Sequence, residues 1–203
     1  MKNVVLLTVM LLSSIIGLSQ TESSDNDSKF RFGFNLGADY SNLQSKETLP
    51  SNANISNGVG FSFGAFMDYS ISKNFLFSPK SELSFNNSSV DFENIDNSTY
   101  EIFPISLDFM IHFVYKIGNS NNIPYLLIGP KLKLPIEKKS TSSTEFKINP
   151  DFAIDFGIGL ENKTKYFIFA PELRYSFGLL NVNQNPTLQT LNFHNISLIL
   201  NFK

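Results

Sequence analysis

Apolar residues occupy every second position in a stretch near the start of the sequence. In residues 30–40, FRFGFNLGADY, the even positions hold Phe, Phe, Phe, Leu, Ala and Tyr, and the odd positions hold Arg, Gly, Asn, Gly and Asp. A period of two predicts a β-strand with one apolar face and one polar face. Because the pattern recurs along the chain, the fold depends on whether water or lipid meets the apolar face.

The first nineteen residues have the composition of a secretory signal peptide. Lys2 precedes an apolar run over residues 4–18, and Gly17-Leu18-Ser19 is a small-x-small cleavage pattern before Gln20. The run is about fifteen residues long, whereas a membrane-spanning helix needs roughly twenty. We therefore predict that residues 1–19 are cleaved on export and that residues 20–28 form a flexible periplasmic lead-in.

Composition excludes several classes of protein. The chain has no Cys, so we expect no disulfide framework and no lipid attached through Cys. Its formal net charge of −2 gives no basic surface for nucleic acid. The mean hydropathy is −0.05, which suits a transmembrane barrel because only half of each strand has to be apolar.

Alternation predicts eight strands and a regular alternation of loop lengths. The predicted strands are 29–43, 58–72, 74–87, 99–116, 123–137, 151–162, 165–179 and 192–203. Long loops rich in Ser, Asn and Thr follow the odd-numbered strands, and short turns follow the even-numbered ones. Outer-membrane barrels have this asymmetry, with short periplasmic turns and longer external loops. We predict an all-β, eight-stranded, antiparallel up-and-down transmembrane β-barrel of meander topology over residues 29–203.

The composition of the two faces favours lipid outside and a filled lumen inside. The apolar face is nearly free of mid-strand charges, and Tyr40, Tyr69, Tyr115 and Tyr175 lie towards strand ends as in an interfacial girdle. The predicted lipid-facing residues are Phe30, Phe32, Phe34, Phe61, Phe63, Phe109, Phe113 and Phe156. The polar face combines glycines with charges of both signs, and eight strands enclose just enough space for side chains. The predicted lumen ion-pair network is Arg31, Asp39, Asp68, Lys80, Glu82, Asp108, Lys131, Lys133, Asp155, Glu161, Glu172 and Arg174.

Four prolines fall inside predicted strands. Pro79, Pro104, Pro130 and Pro171 lack the N–H that a central strand donates, and a closed barrel has no free edge to place them on. We therefore predict bulges or bends at these positions.

These prolines belong to segments that resemble the PorT-like family of outer-membrane β-barrels in Bacteroidetes. The matching segments are FRFGFNLGADYSNL (30–43), GAFMDYSISKNFLFSPKSELSF (64–85), YEIFPISLDFMI (100–111), IPYLLIGPKLKL (123–134), FAIDFGIGLE (152–161), PELRYSFGLLNV (171–182) and ISLILNF (196–202). The resemblance covers nearly the whole mature chain and implies an eight-stranded barrel. The family's namesake is tied to protein secretion and surface maturation, but most relatives have no assigned role, so the resemblance implies no single activity.

Candidate catalytic groups are few. Asp108 and His112 share the polar face, but four residues along a strand separate them by roughly 13 Å. His194 falls at the external end of the last strand, where we expect an interfacial position, and no phosphate loop, zinc spacing or nucleophile elbow occurs. We predict no catalytic residue, no cofactor and no metal site.

Four functions remain open at this point. The favoured hypothesis is a monomeric structural or interaction barrel in the outer membrane of a Gram-negative bacterium, linked to protein secretion or surface assembly. Its expected partners are outer-membrane lipid, the barrel-assembly machinery, and secretion-system or surface proteins. The alternatives are a small-solute porin, a membrane-embedded lipid hydrolase or acyltransferase, and a secreted lipocalin-like carrier with an apolar lumen.

Overall fold

The computed structural model describes residues 29–45, 53–92, 98–118, 120–136, 148–183 and 190–203, so the predicted signal peptide and lead-in lie outside the described residues. The strands are β1 (Phe30–Ser45), β2 (Ala53–Ser56), β3 (Gly58–Ser70), β4 (Phe75–Asn86), β5 (Ser89–Phe92), β6 (Ser98–Glu101), β7 (Ile105–Lys116), β8 (Asn122–Pro135), β9 (Asp151–Lys163), β10 (Ile168–Gly178) and β11 (Leu191–Phe202). No helix among the described residues is long and apolar enough to span a membrane.

Eight of these strands close into an antiparallel barrel, which confirms the predicted fold. The order around the barrel is β1, β3, β4, β7, β8, β9, β10 and β11, and β11 pairs with β1 to close it. Short turns join the strands at the end that carries Lys29 and Lys203, which we call the inner end. The longer connections lie at the opposite, outer end.

Strand pairing fixes the stagger of the barrel. The partners of Phe30, strand by strand, are Tyr69, Phe77, Phe113, Ile128, Phe156, Tyr175 and Ile196, and Ile196 pairs with Tyr40 on β1. One circuit therefore returns ten residues further along β1, since it begins at residue 30 and ends at residue 40. This stagger over eight strands corresponds to a strand tilt of about 40°. A barrel of this size has an interior that side chains fill.

Burial alternates along the barrel strands as the sequence pattern predicts. In β8, Ile123, Tyr125 and Leu127 are buried, whereas Leu126 and Ile128 each expose 49% of their surface. The eight phenylalanines predicted to face lipid all lie on the outer wall and are exposed by 39% to 66%. The apolar face is therefore the outside of the barrel.

Of the bulges or bends predicted at four strand prolines, a bend is found at Pro104, but the prediction is wrong at Pro79, Pro130 and Pro171. A bulge inserts an extra residue and shifts the register of the following pairs. Pairing between β3 and β4 has the same register on both sides of Pro79, and the same holds between β7 and β8 at Pro130 and between β9 and β10 at Pro171. Each proline also pairs normally with its other neighbouring strand. The N–H that each proline lacks therefore affects the hydrogen bonds to one neighbouring strand only, and the register of the strands is unchanged.

The predicted strand 99–116 is wrong over its first part. Residues 98–101 form β6, which pairs with β5 in a separate three-stranded sheet of order β2, β5 and β6, here called the outer sheet. A bend at residues 102–104, which contains Pro104, separates this sheet from β7. Phe103, which alternation places on the apolar outer face, has a φ of 51° and is fully buried. This left-handed residue interrupts the alternation between β6 and β7.

An apolar cluster lies between the outer sheet and the barrel. Phe103 and Phe193 meet edge to face with ring centroids 5.1 Å apart. The cluster, here called the outer plug, consists of Leu43, Ala53, Val90, Ile102, Phe103, Val182, Leu191 and Phe193. Leu43 and Phe193 have the inward parity of β1 and β11, so the plug extends over the outer mouth of the lumen.

Candidate functional site in the barrel lumen

The lumen holds most of the charged side chains of the barrel, arranged in layers along its axis. Directly beneath the outer plug, Asp108 on β7 accepts ion pairs from Lys131 at 3.0 Å and Lys133 at 2.9 Å on the neighbouring strand β8. Ser84 and Ser106 donate further hydrogen bonds to the same carboxylate. The Lys133 ammonium also lies 5.5 Å from the Phe103 ring centroid, so the first polar layer contacts the plug.

The middle layer centres on an arginine that crosses the lumen. Arg174 on β10 donates to both carboxylate oxygens of Glu82 on β4, at 2.6 and 3.1 Å. These two strands are opposite each other in the barrel. Asp155 and Glu172 each approach the guanidinium at 3.9 Å. A bidentate ion pair of this kind fixes the orientation of both side chains as well as pairing their charges, and here it joins opposite walls of the barrel.

Two further pairs complete this layer. Lys80 on β4 reaches Glu172 on β10 at 3.3 Å, and the Tyr125 hydroxyl donates to the same carboxylate at 3.0 Å. The His112 Nε2 lies 2.9 Å from the Asp155 carboxylate, and both side chains are fully buried. Asp108 and His112, which their spacing along β7 is expected to keep apart, have different partners, because Asp108 binds lysines and His112 binds Asp155.

At the inner end, Lys203 links strands on both sides of its own. Its ammonium lies 2.6 Å from Asp68 on β3 and 3.3 Å from Glu161 on β9. Lys116 approaches Glu161 at 2.7 Å. Sequence reasoning did not assign Lys116, Lys203 or His112 to the network. Alternation along β7 and β11 places all three on the inward parity, so the signal was present.

Two charged residues predicted for the network stand outside its ion pairs. Asp39 accepts hydrogen bonds from Ser197 at 2.5 Å and from Asn195 at 3.2 Å, and none of the ion pairs between described residues includes it. Arg31 is half-buried near the inner end and is likewise absent from those pairs. Asp68, which lies opposite Arg31 across β1 and β3, binds Lys203 instead.

Glycines make room for the larger inward side chains. A Cβ on Gly159 would lie 2.2 Å from the Tyr125 ring, and one on Gly33 would lie 2.4 Å from the Phe66 ring. Large side chains from one strand thus lie over glycines of another. This interdigitation fills the narrow interior that eight strands enclose.

The two histidines of the barrel have different surroundings, and neither lies in a candidate metal site. No group of three or more His, Asp and Glu side chains among the described residues could hold a metal ion. His194, expected at the external interface, packs against Phe177 on the outer wall with ring centroids 4.9 Å apart and lies 3.3 Å from the Tyr175 hydroxyl. The described histidines thus serve packing and pairing.

A family model and a solved outer-membrane barrel agree with this architecture. The family model described as "Outer membrane protein beta-barrel domain" matches residues 18–184. The crystal structure of the outer membrane protein OprG from Pseudomonas aeruginosa superposes with a TM-score of 0.54 at 12% identity, covering 85% of this chain and 92% of that chain. Neisserial surface protein A superposes with a TM-score of 0.47 at 15% identity, covering 84% and 96%. The N-terminal β-barrel domain of Pseudomonas aeruginosa OprF gives 0.39 at 12% identity, covering 83% and 97%. No curated protein sequence matches this chain significantly.

Proposed function

Because the chain belongs to the family of outer membrane protein β-barrel domains, we propose that it is a structural barrel. Its own side chains permanently fill its lumen, and its partners bind its outer sheet. The observation that carries this proposal is the Arg174–Glu82 pair, which joins opposite walls in the middle of the lumen. A buried pair that spans the lumen obstructs the path of a solute, as expected where eight strands enclose only enough space for side chains.

The lumen also bears on the two transport alternatives. A lipocalin-like carrier needs an apolar lumen and a polar exterior, but here Arg174, Glu82 and Asp155 are buried inside while Phe32 is 66% exposed outside. That alternative is therefore wrong. A small-solute porin needs an open channel, and the layered ion pairs oppose one.

An enzyme would need reacting groups that a substrate can reach. His112 and Asp155 have the separation of an acid–base pair, but neither exposes any surface. We therefore propose no catalytic role for them. Removing one member of this pair would leave a buried group without its partner, so lost activity in such a variant would report misfolding as readily as catalysis.

The finer proposal concerns secretion or surface assembly, and it is supported by the resemblance to the PorT-like family. The export signal at residues 1–19 would deliver the chain to the periplasm and the barrel-assembly machinery would insert it as a monomer. The outer sheet then presents β6 as an edge strand to partners outside the cell. Edge strands offer unpaired backbone groups to which a second protein adds a strand.

The membrane location is tested first by fractionation. The outer-membrane fraction is extracted with detergent and run on a gel with and without heating. We expect the barrel to migrate differently before and after heating, because it stays folded in detergent. Recovery as a soluble periplasmic protein would overturn the proposal.

Partner binding is tested by photocrosslinking in cells. A photoreactive residue replaces Thr99, an exposed residue of β6, and a matched control replaces Leu198, which is exposed on the outer wall of β11. We expect a covalent adduct with a secreted or surface protein at position 99 and lipid adducts alone at position 198. An absence of protein adducts at position 99 would contradict a role in surface assembly.

A further inference from the structure

The outer wall of the barrel carries an apolar groove with a volume of about 670 Å³. It crosses β7, β8, β9 and β10 and extends to the outward side chains of β4 and β11. Its walls are almost entirely aromatic and aliphatic. The groove is shallow and open along its length, so it offers a long apolar contact surface and not an enclosed cavity.

The register explains why a groove forms here. The upper row of outward side chains is Phe113, Ile128, Phe156 and Tyr175, and the lower row is Tyr115, Leu126, Ile158 and Leu173. Both rows follow hydrogen-bonded partners across four strands. Between them lie inward-pointing positions, including Gly157, whose side chains do not extend to the outer wall. The groove is therefore a slot between two parallel rows of large side chains.

The groove slants towards the inner end of the barrel. Tyr115 lies one residue before the end of β7, whereas Leu173 lies five residues after the start of β10. Phe75, the first residue of β4, lines the low end. The turn at residues 71–74 comes directly before it, and the exposed Lys73 is two residues from Phe75 in the chain.

This edge of the barrel is basic. Lys29, Lys73, Lys163 and Lys165 are exposed at the inner end. The carboxylate side chains that the structure describes at this end, Asp68 and Glu161, are buried and paired with Lys203. Apolar side chains that expose about half their surface, Ile71 and Ile117, border the same turns. Ammonium groups next to the apolar band of a membrane protein lie at the depth of the lipid headgroups.

We propose that the groove is a binding site for an anionic glycerophospholipid of the periplasmic leaflet, with one acyl chain in the slot and the phosphate at Lys73. The shape of the groove calls for a hydrocarbon chain, and the charge at its low end calls for an anion. The two observations are independent, and a phospholipid is the bilayer component that satisfies both. The inference rests on the membrane location proposed above and adds a specific ligand to it.

The experiment uses the absence of Trp from the chain. Leu126→Trp places a single fluorophore in the lower row of the groove, and Leu36→Trp places the matched control on the outer wall of β1, where the leucine is equally exposed. Both full-length variants are folded in detergent, checked by heat-modifiable migration, and titrated with phosphatidylglycerol that carries brominated acyl chains. Bromine quenches Trp on contact, so quenching reports an acyl chain at each position.

We expect quenching at position 126 to be half complete at a lower lipid concentration than at position 36. Adding Lys73→Gln should raise that concentration about fivefold at position 126 and leave position 36 unchanged, as expected for one lysine at a lipid phosphate. Brominated diacylglycerol, which lacks the phosphate, should lose the advantage of position 126, and inorganic phosphate should not displace the phospholipid.

The outcomes separate the site from the membrane location. Equal quenching of both positions at every concentration would overturn the site while supporting a lipid-covered wall. No quenching at position 36 even at saturating lipid would contradict the membrane location itself. An unchanged titration in the Lys73→Gln background would overturn the assignment of the phosphate. Displacement by inorganic phosphate would identify an anion site that is not specific for lipid.

Discussion

At the scale of single residues, alternation predicts which side chains point inward but not which ones meet. Glu172 and Arg174 are neighbours on the inward face of β10, yet their closest approach is 3.9 Å, whereas Arg174 binds Glu82 on the opposite wall at 2.6 Å. Side chains two residues apart on a strand point in the same direction, so those of Glu172 and Arg174 extend side by side into the lumen and bind groups on other strands. Partners across the lumen depend on the stagger of all eight strands, which one sequence does not reveal.

Arg174 carries the first prediction at this scale. Its guanidinium pairs with the carboxylates of Glu82, Asp155 and Glu172, whereas the Glu82 carboxylate is bound by Arg174 and Asn35. Arg174→Met should therefore lower the free energy of unfolding by about 3–5 kcal/mol, because it leaves Glu82 buried without its cation and takes a positive charge away from Asp155 and Glu172. Glu82→Gln should cost less, since the arginine keeps two other carboxylates nearby. Urea unfolding of the protein in lipid vesicles, followed by heat-modifiable migration, measures both.

The matched control is Lys165→Gln, which removes a charge from an exposed turn. Surface substitutions of this kind change the free energy of unfolding by no more than about 0.5 kcal/mol. If Glu82→Gln proved as costly as Arg174→Met, the guanidinium would not be the shared centre of the middle layer.

At the scale of the elements, the sequence predicts a strand well where alternation continues and poorly where the backbone turns. The pattern predicts all eight barrel strands, but it also predicts that the strand 99–116 continues through β6 and the bend at Phe103. A left-handed phenylalanine has no signature in a pattern of polar and apolar residues. The outer sheet was missed for a related reason, since β2, β5 and β6 have four residues each and show too few periods.

The outer wall of single strands supports a prediction about depth. Phe156 lies in the middle of β9, and Phe30 is the first residue of β1 at the inner end. Phe156→Arg should destabilise the barrel in vesicles by about 2–4 kcal/mol and Phe30→Arg by about 0–1 kcal/mol, because the cost of a charge falls from the bilayer midplane to its edge. Equal costs at the two positions would contradict the placement of the outer wall across the bilayer.

At the scale of the whole molecule, two different kinds of side-chain packing close the lumen. The outer plug is apolar and draws on both the barrel and the outer sheet, whereas the layers beneath it are ion pairs between strands. The sequence indicates the ion-pair layers because charges of both signs repeat on the polar face. It does not indicate the outer plug, since the plug contains residues from six segments that meet only once the barrel has formed.

The outer plug and the ion-pair layers lie one after the other along the lumen, so we expect different effects when each is removed. The intact protein should show no conductance in a planar bilayer. Phe103→Ala with Phe193→Ala opens the plug but leaves Arg174 paired with Glu82, so the bilayer should stay silent. Adding Arg174→Ala, Glu82→Ala, Lys80→Ala and Glu172→Ala together removes both ion pairs that join β4 and β10 across the lumen without leaving a charge of either pair alone, and discrete conductance steps should appear. Heat-modifiable migration confirms that each variant is folded. Conductance in the plug variant alone would show that the ion-pair layers do not seal the lumen.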